Sequence, residues 1–571
     1  MKNNVKIYID DKEIICEEGQ SILRVATDNG IDIPHFCYHE DLEIDANCRV
    51  CLVKDELTGQ INTSCTMKAK DGLKVSTNSP EIQILRKKNM ELLFAGYKKK
   101  SPTIQKGYFS KTEKILDDNK VDTDKYEKKE INDPIHKMAT AAELDPSLCI
   151  ACNKCVKVCK KIGVGFLKLE GKGAGTHVTF CKDPKIDCVY CGQCTVHCPV
   201  EAAREQSHIE AVEKALNNPD KIVIAQMAPS VRVSIGEEFN QEIGLDLTKK
   251  MNTALKKLGF DYVFDVNMGA DITTIVEAKE LADRIQNKGV LPMFTSCCPG
   301  WVKFIEFYHP ELIPNLTTAR SPQIHSGGIF KTWWAEKNNI DPKKIVVVSL
   351  MPCTSKKYES NHEKLLIDGM KPVDHVLTVR EAAKMLKKHN VDLPMLEETE
   401  VDPVGQYSGA AAIYGATGGV MESALRSAYY YVTGKELDKV EFESVRGMNG
   451  IKKATIKIGD LDLKVGVITT VKNAEIVIEE LKRNPDAYHY IEVMACPGGC
   501  IGGGGQPIPS TNRIIAKRIK GLYNIDDTMQ LRKAHLNPIV KEVFETYLNK
   551  LSHERQEQIL HTHYSQKRKF E

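Results

Sequence analysis

Four cysteines spread over roughly two hundred residues, Cys298, Cys353, Cys496 and Cys500, constrain this chain more than any other feature. They lie in the segments FTSCCPGW, SLMPCTSKKYE and EVMACPGGCIGGGGQP. The first three each follow a short apolar run, VLPMFT, KIVVVSL and YIEVM, of the length and composition of a buried strand. In an open α/β sheet, ligands sit outside the carboxyl ends of the strands. Thiolates on three such ends point to a single metal site that only the completed fold can assemble.

Upstream, the metal chemistry is local. Cys149, Cys152, Cys155 and Cys159 form C-x2-C-x2-C-x3-C, and Cys188, Cys191, Cys194 and Cys198 repeat it before Pro199. In this two-cluster ferredoxin pattern the fourth cysteine of each run ligates the other cluster. The expected sets are therefore Cys149, Cys152, Cys155 and Cys198 for one 4Fe–4S cluster, and Cys188, Cys191, Cys194 and Cys159 for the other. Cys37, Cys48, Cys51 and Cys65 give C-x10-C-x2-C-x13-C, a plant-type 2Fe–2S order with a longer first loop. Structural zinc is the rival at each of these runs, and the more serious one at the N-terminal set. Of the other cysteines, Cys16 reads as a small buried hydrophobe, and Cys181 lacks ligand spacing.

Composition narrows the class. Nineteen cysteines, mostly in tight pairs, suit metal ligation in a reducing compartment rather than a disulfide scaffold. The 79 Lys and Arg against 77 Asp and Glu give no case for nucleic acid. No run approaches the length of a membrane span, and the start, MKNNVKIYIDDKEIIC, reads as a first strand rather than a signal peptide, so a cytoplasmic protein is expected.

The expected architecture is multidomain, α/β and α+β. Residues 1–80 read as a β-grasp 2Fe–2S domain, with a hairpin around Asp10-Asp11. Residues 81–140, Lys-rich and without cysteine, read as a helical connector. Residues 141–208 form a bacterial-ferredoxin-like domain, and 209–510 a two-lobed α/β domain of alternating strands and helices. Residues 511–571 read as a helical segment wrapping that domain. IGGGGQP lacks the GK[ST] ending of a phosphate loop, which favours close backbone packing against a metal centre. His561 and His563 read as solvated, and His136 as isolated.

TSCCPGW (Thr295–Trp301), MPCTSKKYE (Met351–Glu359) and EVMACPGGCIGGGGQP (Glu492–Pro507) closely resemble the three signatures of iron-only (FeFe) hydrogenases. The resemblance spans nearly the whole chain and includes AQMAPSVR, TTARSPQ and GQYSGAAAIYGATGGVMESALR. It implies an H-cluster: a 4Fe–4S cubane on Cys298, Cys353, Cys496 and Cys500, the last bridging to a di-iron subsite with CO, cyanide and a dithiolate amine. Lys356 and the backbone at Ser230 match the positions that donate to cyanide. Met351 and Met494 match the apolar wall, and Ala228, Pro229 and Gln323 the surrounding packing. Cys297 matches the proton-shuttling thiol, followed by Glu277, Glu280, Thr317 between them, and Arg284 at the mouth. Read without the resemblance, Glu277 and Glu280 at i, i+3 are ordinary surface acids.

The resemblance further implies ferredoxin or flavodoxin as electron partner, dihydrogen and protons as substrates, and di-iron maturation proteins. Many large members carry an extra 4Fe–4S cluster with one His and three Cys ligands, and residues 81–140 have no cysteine for it. Two alternatives stay open: a hydrogen-activating subunit of a bifurcating or carbon dioxide-reducing complex, and a non-catalytic iron–sulfur assembly or sensory relative.

Overall fold

The computed structural model describes residues 3–97, 111–127 and 131–569. The hairpin strands Asn4–Ile9 and Lys12–Glu17 turn at Asp10 and Asp11, both at positive φ (47° and 63°). A two-residue turn with both centres left-handed matches the twist of the strands, and Asp tolerates that conformation. Strand Lys74–Ser76 runs parallel to Asn4–Ile9 and joins the hairpin to Leu52–Asp55 and Ile61–Thr63 in a five-stranded mixed sheet. Helix Ile22–Asp28, capped by the Ser21 side chain, buries Ile22, Leu23, Val25 and Ala26 in the same core.

The connector begins with helix Pro80–Leu93, capped by Ser79 with Pro at its first turn. Its buried Arg86 donates to the carbonyls of Val50, Leu52 and Thr77, which ties the helix to the loop carrying Cys51. A second helix spans Lys111–Asp118. Residues 98–110 and 128–130 of the expected connector lie outside the described residues.

The eight-cysteine region builds helices Lys154–Lys161 and Gln193–His197, a three-stranded sheet (Ala203–Glu205, Ala142–Leu144, His136–Met138) and a hairpin, Leu167–Glu170 with His177–Phe180. Downstream lie two four-stranded sheets. The first is wholly parallel, in the order Tyr262–Asp265, Ile222–Met227, Ile345–Met351, His375–Thr378. The second runs Met293–Phe294, Tyr490–Met494, Leu461–Thr469, Ile451–Ile458, and only the last pair is antiparallel. Buried on both faces, the parallel strands read as continuous apolar runs. The run VLPMFT yields only a two-residue strand, because Pro292 has no N–H to give the ladder.

Helix Val266–Gln286 is capped by Asp265 and buried along most of its length. Helices Asn512–Thr528, Pro538–Thr546 and His553–Leu560 close the chain. The chain end returns to the site region, where Thr562 N–H donates to Thr318 O and Arg320 donates to His561 O. Among the described residues no helix is long and apolar enough to cross a membrane.

Candidate functional site

The two sheets present their carboxyl ends to a common space. Cys353 follows strand Ile345–Met351 of the first sheet. Cys298 caps helix Pro299–Tyr308 just beyond strand Met293–Phe294 of the second, and Cys496 and Cys500 follow Tyr490–Met494. The four thiols are free and lie close enough to perturb one another. Burial pushes the Cys353 thiol up to about 11 and raises Cys496 and Cys500 further, with neighbouring thiols adding to the effect. Four clustered thiols without disulfides, Cys298 and Cys496 buried and Cys353 and Cys500 half-buried, are a poor arrangement for a bare protein and a good one for a cationic metal cluster.

The doubled cysteine runs show the same fit in their backbone. Ala151 and Asn153 in the first loop, and Tyr190 and Gly192 at the equivalent places in the second, all have positive φ. Alternation of this kind turns successive N–H groups inward, making an anion-binding concavity. Accordingly the Ala151 N–H donates to Cys149 Sγ and the Tyr190 N–H to Cys188 Sγ, each at 3.3 Å. Cys159 lines one cavity with Cys188, Cys191 and Cys194. Cys198 lines another with Cys149, Cys152 and Cys155. In the N-terminal unit the thiols pair by hydrogen bonds, Cys37 with Cys48 and Cys51 with Cys65. Two pairs match the two irons of a 2Fe–2S rhomb, and backbone N–H groups of Asn47, Val50 and Phe36 point at the first pair.

The second loop is bolted to the four-thiol site. Thr354 and Ser355 hydroxyls donate to Tyr190 O, Gln193 donates to Gly502 O, and Thr195 to Gly504 O. Cys496 Sγ lies 3.9 Å from Cys191 O. The glycine run makes this contact possible. A Cβ on Gly504 would come 2.5 Å from the backbone of Gly192. Gly504→Ala is therefore expected to cost about 1–3 kcal/mol through overpacking, read as a lower thermal midpoint. An unchanged midpoint would mean that this interface can part without penalty.

Beside the thiols, Cys297 is buried and its carbonyl accepts from Lys356 Nζ at 3.0 Å. Burial, then Glu277 and Cys500, push its thiol well above the ordinary range. Lys356 is held by Glu359 at 2.9 Å, which outweighs the cost of burial and keeps the ammonium charged. Ala228, Pro229, Ser230, Gln323, Met351 and Met494 are all buried. Ala228 N–H donates to Leu350 O, which sets the Pro229–Ser230 turn beside the end of the neighbouring strand. Gln323 donates to Lys356 O and Glu359, while its Oε1 and the Ser230 hydroxyl have no protein partner. Orphaned buried polar atoms beside a fixed ammonium suit a ligand with polar or anionic groups.

Glu277, on helix Val266–Gln286, is only 1% exposed and its Oε1 has no partner. Burial pushes its carboxyl up to about 8, with Tyr490 opposing the shift and Glu280 and Glu492 adding to it. One turn on, Glu280 accepts from Thr317 Oγ1 at 2.6 Å and is clasped by Arg284 at 2.6 Å. Arg284, itself only partly exposed, also donates to the carbonyl of buried Leu316. The site thus contains Cys297, Glu277, Glu280, Thr317 and Arg284 in one region running outward.

Several participants were not expected from the sequence. His561, read as solvated, is half-buried and its Nδ1 lies 2.8 Å from the Thr318 hydroxyl, which itself donates to Glu280. Return of the chain end to the site buries it, and nothing in HTHY signals that contact. His136, read as isolated, pairs with Asp133 at 2.9 Å. Glu359 lies inside the quoted MPCTSKKYE segment, but its grip on Lys356 needed the helical turn at Ser355–Glu359. Tyr414 and Tyr490 flank Glu277 from other elements.

Three family models match the chain. Residues 221–504 match the iron only hydrogenase large subunit, C-terminal domain; residues 2–80 a 2Fe-2S iron-sulfur cluster binding domain; and residues 512–567 the iron hydrogenase small subunit. Iron hydrogenase 1 of Clostridium pasteurianum is 40% identical, over 98% of this chain and 99% of its own. The HndD subunit of an NADP-reducing hydrogenase from Solidesulfovibrio fructosivorans is 40% identical, over 98% of both. Among solved structures, an apo FeFe-hydrogenase from Chlamydomonas reinhardtii matches with a TM-score of 0.57 at 37% identity, covering 63% of this chain and 99% of that one.

Proposed function

The chain belongs to the iron-only (FeFe) hydrogenases, and on that premise we propose how its own residues serve the reaction. It is a hydrogenase, interconverting dihydrogen with two protons and two electrons, with an H-cluster and a 2Fe–2S cluster as cofactors. The observation that carries the residue assignment is the convergence of four thiols from two sheets beside Cys297 and Glu277.

Cys298, Cys353, Cys496 and Cys500 hold the cubane. When bound, the di-iron subsite supplies a Lewis-acidic iron and a basic amine for splitting hydrogen. The protein's share is containment and proton movement. Lys356, fixed by Glu359, and the polar groups around Ser230 and Gln323 anchor the anionic ligands. Met351 and Met494, at the ends of facing strands, exclude water. Cys297 Sγ passes a proton to Glu277, whose carboxyl near pH 8 can hold or release it with little bias. Glu280 and Thr317 carry it outward, and Arg284 at the mouth, which never gives up its own proton, holds the Glu280 carboxylate in place.

Residues 1–208 form the electron relay: a β-grasp 2Fe–2S domain, then a ferredoxin-like domain with two 4Fe–4S clusters. Ferredoxin or flavodoxin is the electron partner, and di-iron maturation proteins load the site. Nineteen free cysteines suit the reducing cytoplasm. The likeness to HndD favours a second reading, in which this chain is one subunit of a larger pyridine-nucleotide complex. Copurification of a flavin-bearing subunit would establish it. The function itself is tested by infrared spectra of the protein coexpressed with the di-iron maturases. CO and cyanide stretching bands are expected, and their absence would refute the site assignment.

A further inference from the structure

We infer that an acidic electron-carrier protein docks on the hairpin Leu167–Glu170/His177–Phe180 and exchanges electrons directly with the Cys159, Cys188, Cys191 and Cys194 site, without passing through the 2Fe–2S domain. This rests on the reading that a carrier protein supplies or removes the electrons.

An open cleft of about 600 Å³ lies against this hairpin, with Asp133, His136, His177, Phe180, Lys182 and Lys569 in its wall. Phe180 is partly exposed there, and its ring centroid lies 4.6 Å from that of Phe166. Phe166 is 1% exposed and lines the cavity that holds the four cysteines. Its backbone N–H donates to Cys159 Sγ at 3.2 Å. Two packed rings and one hydrogen bond therefore connect the cleft to a cluster thiol. Electronic coupling survives such packed contact far better than an open gap. The same site touches the catalytic thiols through Cys191 O and Cys496 Sγ. An electron entering here is already at the last station before the active site.

Charge identifies the partner. The hairpin and its flank carry Lys168, Lys172, Lys182 and Lys185 against Glu170 and Asp183, and Lys569 reaches the same cleft from the chain end. Asp133 is taken up by His136 at 2.9 Å and His177 at 3.4 Å. The first eighty residues have the opposite sign, nine Lys and Arg against fourteen Asp and Glu. Opposed surface fields steer encounter and suppress wrong docking. An acidic carrier is drawn to the hairpin and repelled by the 2Fe–2S domain. Each encounter oxidises the carrier by one electron and reduces the 4Fe–4S site by one, so two encounters and two protons give one dihydrogen.

The test uses the matured full-length enzyme, a chemically reduced acidic two-4Fe–4S ferredoxin as donor, and methyl viologen as a small control donor. K182E/K185E is expected to raise the KM for ferredoxin about tenfold at low ionic strength, with the difference vanishing at high salt and the methyl viologen rate unchanged. F180L should lower ferredoxin-driven kcat relative to the dye-driven rate with KM little changed. On rapid mixing, freeze-quenched EPR should show the 4Fe–4S signal ahead of the 2Fe–2S signal. The docking inference is overturned if K182E/K185E leaves the KM unchanged, if D11K/E18K/E56K raises it instead, or if the 2Fe–2S signal comes first. If the wild-type enzyme runs on methyl viologen but not on ferredoxin, the carrier reading beneath the inference is the one that fails.

Discussion

Cys297→Ala is expected to lower hydrogen turnover by about a hundred- to ten-thousandfold, the range that one positioned proton carrier contributes, while leaving the CO and cyanide infrared bands in place. The two outcomes separate because Cys297 serves the site in two ways. Its carbonyl holds Lys356 Nζ at 3.0 Å, and alanine keeps that carbonyl. Its thiol is the proton-bearing group, and alanine removes it. Burial and the nearby Glu277 keep the sulfur protonated at rest, so it gives up its proton only as another arrives to replace it. The rival way out is the Lys356–Glu359 pair, also buried and also bonded to Cys297. Near-normal hydrogen evolution by the variant, measured with methyl viologen, would transfer the route to that pair.

How much of this was legible in the sequence depends on the range over which each signal acts. The ferredoxin-like loops were expected because ligand spacing is local, and left-handed Ala151, Asn153, Tyr190 and Gly192 give both loops a backbone that suits wrapping a cluster. The four dispersed cysteines were readable because strand ends gather ligands. Glu277 was not. Its helix is buried almost all round, so no polar face marked the residue as unusual, and only the family resemblance singled it out. The contact of His561 with Thr318 arises when the chain end returns to the site, and it leaves no periodic trace. Gly504 could be read as close packing, but its partner, Gly192, lies more than three hundred residues away. Sequence pattern reports what a segment demands of its own backbone, and a long-range neighbour is visible only when it forces a residue type.

Glu277→Gln is expected to exchange activity for stability, and pH separates the two effects. The Glu277 carboxyl has a value of about 8 in the fold against about 4.3 in an unfolded chain. The folded protein therefore holds this proton across a window where the unfolded chain has released it. Stability from this group is complete below about pH 4 and is lost as pH rises toward 8. Above pH 8 a buried carboxylate remains, at a cost on the order of several kcal/mol. Glutamine carries no charge at any pH. The variant should unfold at a higher temperature than the parent at pH 9, with the gap closing at pH 5. Its turnover should fall by about a hundredfold or more, because an amide cannot take up and release a proton. The parent's hydrogen evolution should decline above pH 8 as Glu277 ionises, and the variant's residual rate should lack that limb. Equal gaps in melting temperature at pH 5 and pH 9 would show that Glu277 is not the group titrating. Full turnover in the variant would remove it from the route altogether.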